Sequence, residues 1–388
     1  MSLVDRSSHG RLPLMEPPAR KLSLTYSLAD QTFARTKSIG ILNVSVGLLR
    51  ALAKRTECER LTVLSNHSLR ESLAPPEGAT IEHHDLASDR GVGRIWWDQF
   101  GAYAAARRTG NDWLFLPKGF ASFSRNCPVR LATFVHDAMH DHYDRHYPDA
   151  VSRFETSYFR AAFRASVRQS ELIFTPSEFT LNEVKRLAGE NGWRVPRLVC
   201  CGEGFDRTAA TSTEPRRDIL VLTSQFPHKL TPLAVKFLQR WSRENPFGED
   251  IHWIGSLPKN LELPGESNWK RHDILPETKF RAMMARARVV LSFSDYEGFG
   301  RPPVEAALAG ACPVYSSIPT TQEVMGDCGY SFDNANYESF AHALHQALKI
   351  DPTQLRVWSE KLAARHDWAV VADRVITALT TTPQVSVS

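Results

Sequence analysis

The chain has 388 residues, enough for two domains of common size, and its 42% apolar and 23% charged residues are the composition of a soluble globular protein. A net charge of +4 is only mildly basic; without a nucleic-acid-binding motif beside it, it argues against DNA or RNA as a partner while suiting an anionic ligand or a membrane surface. Six cysteines without a CxxC spacing, most beside apolar residues, fit reduced, buried thiols in a cytoplasm better than a disulfide framework.

Residues 1–20 read as a disordered leader, with no apolar stretch long enough for a signal peptide or a membrane span. Strand-like runs then alternate with helical patterns. The first predicted strand covers 22–26 and its helix 41–54, with Gly40 between them. Further strands are predicted at 61–64, 113–116 and 131–135, the last running into His136 and Asp137. A long helix follows over 150–170, and strands at 172–174 and 197–199 close a first half spanning 21–205. The polar stretch 206–218 reads as a linker. Alternation restarts at 219–222, with a helix from Thr231, a strand at 251–254 and an apolar run at 289–293, in a second half spanning 219–355. Helices fill 356–388. Repeated βα units imply parallel sheets with ligands at the C-terminal strand ends. Two such blocks predict an α/β protein of two doubly wound Rossmann-like domains facing a cleft.

The most informative stretch is Asp295-Tyr296-Glu297-Gly298-Phe299-Gly300-Arg301-Pro302-Pro303-Val304-Glu305. It links a buried strand to a helix with proline in its first turn, where a missing N–H does no harm. Gly298 and Gly300 allow close backbone approach to a ligand. The helix start offers free N–H groups and the positive dipole end. Glu297 and Glu305 flank the crevice, and carboxylates suit sugar hydroxyls because they accept two hydrogen bonds at once. This pattern, with the following strand at 312–314, resembles the retaining family-4 glycosyltransferases of GT-B fold, and the bacterial mannosyltransferases among them.

Other segments extend the resemblance from about residue 21 to the C-terminus. The stretch 222–229 resembles a Gly-x-x-x-Pro-Arg-Lys motif, with Lys229 kept, His228 in place of the arginine and Thr223 in place of the glycine. A histidine there is charged only part of the time near neutral pH, which predicts pH-dependent donor affinity. Gly40 matches a glycine-rich loop, with Leu42 where a second glycine is common and Asn43 where a basic residue is common. His136-Asp137 matches a His-Asp pair. Ser177-Glu178-Phe179 matches a motif that Ser177 explains as a helix N-cap. Trp368 matches a tryptophan that opens a terminal helix crossing back onto the first domain.

The resemblance implies transfer of a hexose from a nucleoside diphosphate sugar to a hydroxyl, with retention and without metal. The donor is GDP-mannose first and a UDP-hexose close behind; the acceptor is a saccharide or a lipid-linked acceptor. Lys229 would neutralise the diphosphate, Glu305 would hold the ribose, and Glu297 with the amides around Phe299 and Gly300 would orient the donor sugar. His136 would bind sugar hydroxyls, and Asp137 would position it or the acceptor. His136 and His140 lie four residues apart, but Pro148 and the charge mix predict a loop over 136–148 and no metal site. Basic and aromatic residues of the long helix, from Arg153 and Phe154 to Arg168, would touch a membrane peripherally at its cytoplasmic face. Two alternatives remain open: a nucleotide-sugar epimerase or hydrolase of the same fold, and a non-catalytic nucleotide-sugar-binding partner of another transferase.

Overall fold

The computed structural model describes residues 21–32, 39–70, 73, 76–84, 91–206, 216–246 and 248–383. The leader expected at 1–20 and most of the linker expected at 206–218 lie outside the described residues. The first sheet holds seven parallel strands: β1 (Leu22–Ser27), β2 (Cys58–Asn66), β3 (Ala79–His84), β4 (Trp113–Leu116), β5 (Arg130–Phe134), β6 (Leu172–Thr175) and β7 (Arg197–Cys200), in the order β3-β2-β1-β4-β5-β6-β7. The second holds six: β8 (Ile219–Thr223), β9 (Ile251–Gly255), β10 (Trp269–His272), β11 (Val289–Ser292), β12 (Cys312–Ser316) and β13 (Tyr330–Phe332), in the order β10-β9-β8-β11-β12-β13. Each strand order reverses once, between β1 and β4 and between β8 and β11. Those are the switch points where doubly wound sheets open a crevice at the C-terminal strand ends.

Helices of the first domain are α1 (Ile39–Ala53), α2 (Gly91–Trp96), α3 (Ala102–Thr109), α4 (Met139–His146), α5 (Arg153–Gln169) and α6 (Glu178–Glu190). Those of the second are α7 (Thr231–Glu244), α8 (Glu277–Arg286), α9 (Arg301–Leu308), α10 (Pro319–Met325), α11 (Tyr337–Ala347) and α12 (Pro352–Arg365). A last helix, α13 (Trp368–Thr381), returns to the first domain, where Val371, Val375, Ile376 and Leu379 join the core formed by β1, β2 and α1. Asp367 caps it by accepting from the Ala369 N–H. The Trp368 ring is wedged so tightly that a methyl group on either Gly47 or Gly204 would collide with it.

The central strands are apolar on both faces, as strands covered by helices must be: β6 and β11 are buried at every residue. The segment expected to be a loop over 136–148 is instead helical from Met139 to His146. Tyr143 is its buried residue, and the His140 ring packs on Phe163 of α5 at 4.8 Å between centroids. Only a narrow apolar stripe is needed to hold so short a helix, and its charged residues conceal the period.

Candidate active site

The loop between β11 and α9 begins in the core and ends at the cleft. Phe293 is buried among Phe237, Phe332 and Phe340 and anchors the strand end. Gly300 caps α9 with φ +85°, a conformation that costs an L-residue about 1–2 kcal/mol. Pro302 and Pro303 follow in the first turn. The Glu297 carbonyl is held by the Thr320 hydroxyl at 2.7 Å, and its carboxylate is ion-paired with Lys229. Lys229 ends a single 3-10 turn (Pro227–Lys229) after β8, and the next residue, Leu230, has φ +45°. Leu230 is the only non-glycine residue with positive φ among the described residues. Strain of this kind is maintained where the surroundings dictate a special direction of the chain. Lys229 and Glu297 thus meet at the second sheet's switch point, from the ends of β8 and β11.

The first domain closes directly on this loop. A methyl group on Gly298 would strike the His136 carbonyl, so only glycine lets the two backbones meet. The Gly298 carbonyl accepts hydrogen bonds from Ser177 Oγ at 2.6 Å and Thr180 Oγ1 at 3.0 Å. Ser177 also caps α6 through the Thr180 N–H, so the cap residue joins both domains. The Ala138 N–H donates to the Tyr296 hydroxyl at 3.0 Å, and His142 and Tyr147 both contact the Asp295 carboxylate. Glu323 of α10 accepts the N–H groups of Glu178 at 2.7 Å and Phe179 at 2.9 Å, capping α6 from across the cleft.

Four residues singled out in the sequence therefore converge: His136, Asp137, Lys229 and Glu297, with Gly298 between them. Burial pushes the Asp137 carboxyl above the usual carboxylate range, although it accepts from the Met139 N–H at 2.9 Å. His136 is turned inward: Nε2 donates to the Pro117 carbonyl at 2.7 Å, and Nδ1 stands 3.8 Å from Glu203 Oε1. Glu305 lies one turn into α9, where its Oε1 accepts from Arg301 Nε at 3.1 Å.

Others lie apart. Phe299 points into the core against Phe205 and His366. Gly40 sits in the first turn of α1 with nothing within 4 Å of where a Cβ would stand, and residues 33–38 before it are outside the described residues. Leu42 is fully buried under α1, so the change from glycine there serves the core.

His228 is 7% exposed, and its Nδ1 is hydrogen-bonded to the Tyr143 hydroxyl at 2.7 Å. Burial first, and the Lys229 charge beside it, push its pKa down to about 4. In this ligand-free site its imidazole is held neutral, and it serves as a contact between the domains.

Glu203, Arg301, Tyr143, Tyr296 and Glu323 escaped sequence reasoning as site residues. Glu203 is 4% exposed, and a buried carboxylate requires cations; Arg301 supplies one, with Nη1 donating to Glu203 Oε2 at 2.8 Å. Among the described residues no group of three or more His, Cys, Asp or Glu is arranged to hold a metal ion, and no helix is long and apolar enough to cross a membrane.

Known proteins share this fold. Residues 237–363 match the family of glycosyl transferases group 1. The O-antigen chain mannosyltransferase B of Escherichia coli is 23% identical over 241 residues, 56% of this chain and 61% of that protein. The match thus spans about three fifths of that relative's length. Anabaena Alr3699/HepE, solved in complex with UDP and glucose, has a TM-score of 0.66 at 15% identity over 93% of this chain and 100% of its own. WaaG, a glycosyltransferase involved in lipopolysaccharide biosynthesis, has a TM-score of 0.65 at 14% identity over 92% of this chain and 100% of its own. The two parallel-sheet domains are a GT-B fold, and the family match, from within α7 to within α12, covers most of the second domain.

Proposed function

We propose that the protein is a retaining glycosyltransferase that moves a hexose from a nucleoside diphosphate sugar to a hydroxyl of a saccharide or lipid-linked acceptor. The observation that carries this reading is the Lys229–Glu297 pair at the second sheet's switch point, facing His136 and Asp137 across the cleft. A fixed cation there stabilises the charge that grows on the departing diphosphate. Lys229 takes that role, aided by the N–H groups at the start of α9, so transfer needs no metal and survives EDTA. Glu305 holds the ribose, Glu297 orients the donor sugar, and His136 with Asp137 lines the sugar and acceptor side. The closed contacts at Gly298 and Tyr296 exclude water, which limits hydrolysis of the donor.

The mannosyltransferase relative favours GDP-mannose as donor, and the UDP and glucose bound to the Anabaena neighbour favour a UDP-hexose next. A lipid-linked acceptor would bring the enzyme to a membrane. Exposed Phe154 with Arg160, Arg164 and Arg168 on α5 is the surface we assign to that contact.

The test is a thermal-shift panel of GDP-mannose, UDP-glucose, UDP-N-acetylglucosamine, GDP and UDP without metal. A ligand that binds only the folded state raises the melting temperature by mass action. A shift with one base, lost in Glu305→Ala, supports the reading; no shift with any ligand overturns it. Retention is read from the anomeric configuration of the product by NMR, and an inverted product excludes that mechanism.

A further inference from the structure

Glu203 belongs to neither of the motifs that define the cleft, yet it touches both sides of it. It lies in the segment that leaves β7 toward the second domain, and its side chain is 5% exposed. Its two oxygens serve different partners. Oε2 accepts from Arg301 Nη1 at 2.8 Å, and Oε1 stands 3.8 Å from His136 Nδ1. Burial alone would raise its pKa, but the facing His136 ring and the Arg301 guanidinium outweigh burial and hold it below the usual range.

Arg301 is fixed on three sides. Nη1 meets Glu203, Nε meets Glu305 Oε1 at 3.1 Å, and the guanidinium stacks 4.1 Å from the Phe205 ring centroid. A guanidinium is planar, so a partner on one edge and an aromatic ring on its face set the direction in which the other edge points. That direction determines where the Glu305 carboxylate is held. Glu305 is the more exposed member, with a side chain 34% accessible against 5% for Glu203. Its Oε2 has no hydrogen-bond partner among the described residues and stays available to a ligand.

We propose that Glu203 is a positioning residue of the donor site: through Arg301 it orients Glu305 for the nucleotide ribose. This rests on the reading that Glu305 binds the ribose. A carboxylate hydrogen-bonded to a ribose hydroxyl makes binding sensitive to loss of that hydroxyl, because hydrogen bonds to charged groups are strong. A disoriented Glu305 loses that sensitivity while the phosphate contacts persist.

The test compares UDP with 2′-deoxy-UDP, and GDP with 2′-deoxy-GDP, by isothermal titration calorimetry on the full chain. Wild type should prefer the ribonucleotide of its cognate base by roughly tenfold or more. Glu203→Ala, which removes the acceptor of Arg301 Nη1, should bring that ratio close to one. Removing Glu203 leaves Arg301 with Glu305 as its one remaining carboxylate, which can weaken folding. The double variant Glu203→Leu with Arg301→Met removes both charges, and such exchanges are often neutral for stability. It should fold with an unchanged melting temperature and show the same loss of ribose preference. Ribose preference retained in a folded variant overturns the proposal and leaves the ribose assignment of Glu305 standing. A wild-type protein that binds a nucleotide without preferring its ribose form overturns the assignment of Glu305, and this proposal with it.

Discussion

His228 shows how burial sets the titration of a motif residue. Its imidazole is held neutral, with its pKa pushed down to about 4, and so are those of His140 and His366, each chiefly by burial. The unfolded chain takes up these protons near pH 6.5, whereas the folded chain refuses them until about pH 4. The stability they hold is present above pH 6.5 and is lost as pH falls through that window. A displacement of this size corresponds to on the order of 3 kcal/mol per residue once complete. Asp98, pushed up to about 6 by burial, acts in the opposite sense over part of the range. With three histidines against it, the melting temperature should fall between pH 6.5 and pH 4.5. In His228→Gln, which can still hydrogen-bond Tyr143, that fall should be shallower; an identical slope in a thermal-melt series would contradict the assignment. On the proposed reading, in which Lys229 stabilises transition-state charge, Lys229→Ala should lower kcat by about 10²-fold or more. Glu305→Ala should raise the donor KM with a smaller effect on kcat, and steady-state kinetics separates the two. That Glu297 and Lys229 meet was legible because motif spacing places both at strand ends of the second sheet. That Glu203 and Arg301 meet was not, because a charge pair across 98 positions leaves no local trace.

At the scale of elements, the loop joining β11 to α9 is the most tightly specified. Gly300→Ala should cost about 1–2 kcal/mol from its positive φ, with Thr321 Cγ2 at 3.1 Å from the new methyl adding to it. Gly298→Ala should harm activity more than stability. The methyl would push the loop away from His136, and a misplacement of about 1 Å can cost roughly 10²-fold in rate. A Gly298→Ala enzyme with unchanged kcat/KM would show that the His136 contact is dispensable. Strands of Val, Leu and Ile between turn residues were readable, as was the Ser177 cap. The edge strands β3 and β10 were not, since Ala-Thr-Ile-Glu-His-His and Trp-Lys-Arg-His half face water and carry too little apolar pattern. The helix α4 was missed for a related reason: what it buries is Tyr143, and the purpose of Tyr143 lies in the other domain.

At the scale of the molecule, the two doubly wound sheets follow from the alternation of apolar runs and helical periods, which is why the architecture was legible before any contact was. The return of the last helix onto the first domain was expected from Trp368; what the sequence does not announce is the wedge that fixes it there. Trp368 lies between Gly47 and Gly204 and ties α13 to the first domain. Gly47→Ala should therefore destabilise the wild type, and Trp368→Ala should cost roughly 3 kcal/mol by the cavity it leaves. Combined, the two should cost clearly less than their sum, because the methyl no longer meets the ring. Strict additivity in denaturant melts would argue against the wedge.

The cap that Glu323 places on α6 has a consequence of another kind. A helix begins with N–H groups that have no partner of their own, and here the acceptor for those of Glu178 and Phe179 comes from the opposite domain. Each time the cleft opens, those two amides lose their acceptor and meet solvent, while the rest of α6 keeps its own bonds. Their deuterium uptake, measured against neighbours such as Val184, becomes a clock for the opening itself: slow while ligand holds the halves together, fast when it leaves, and readable without any label added to the protein.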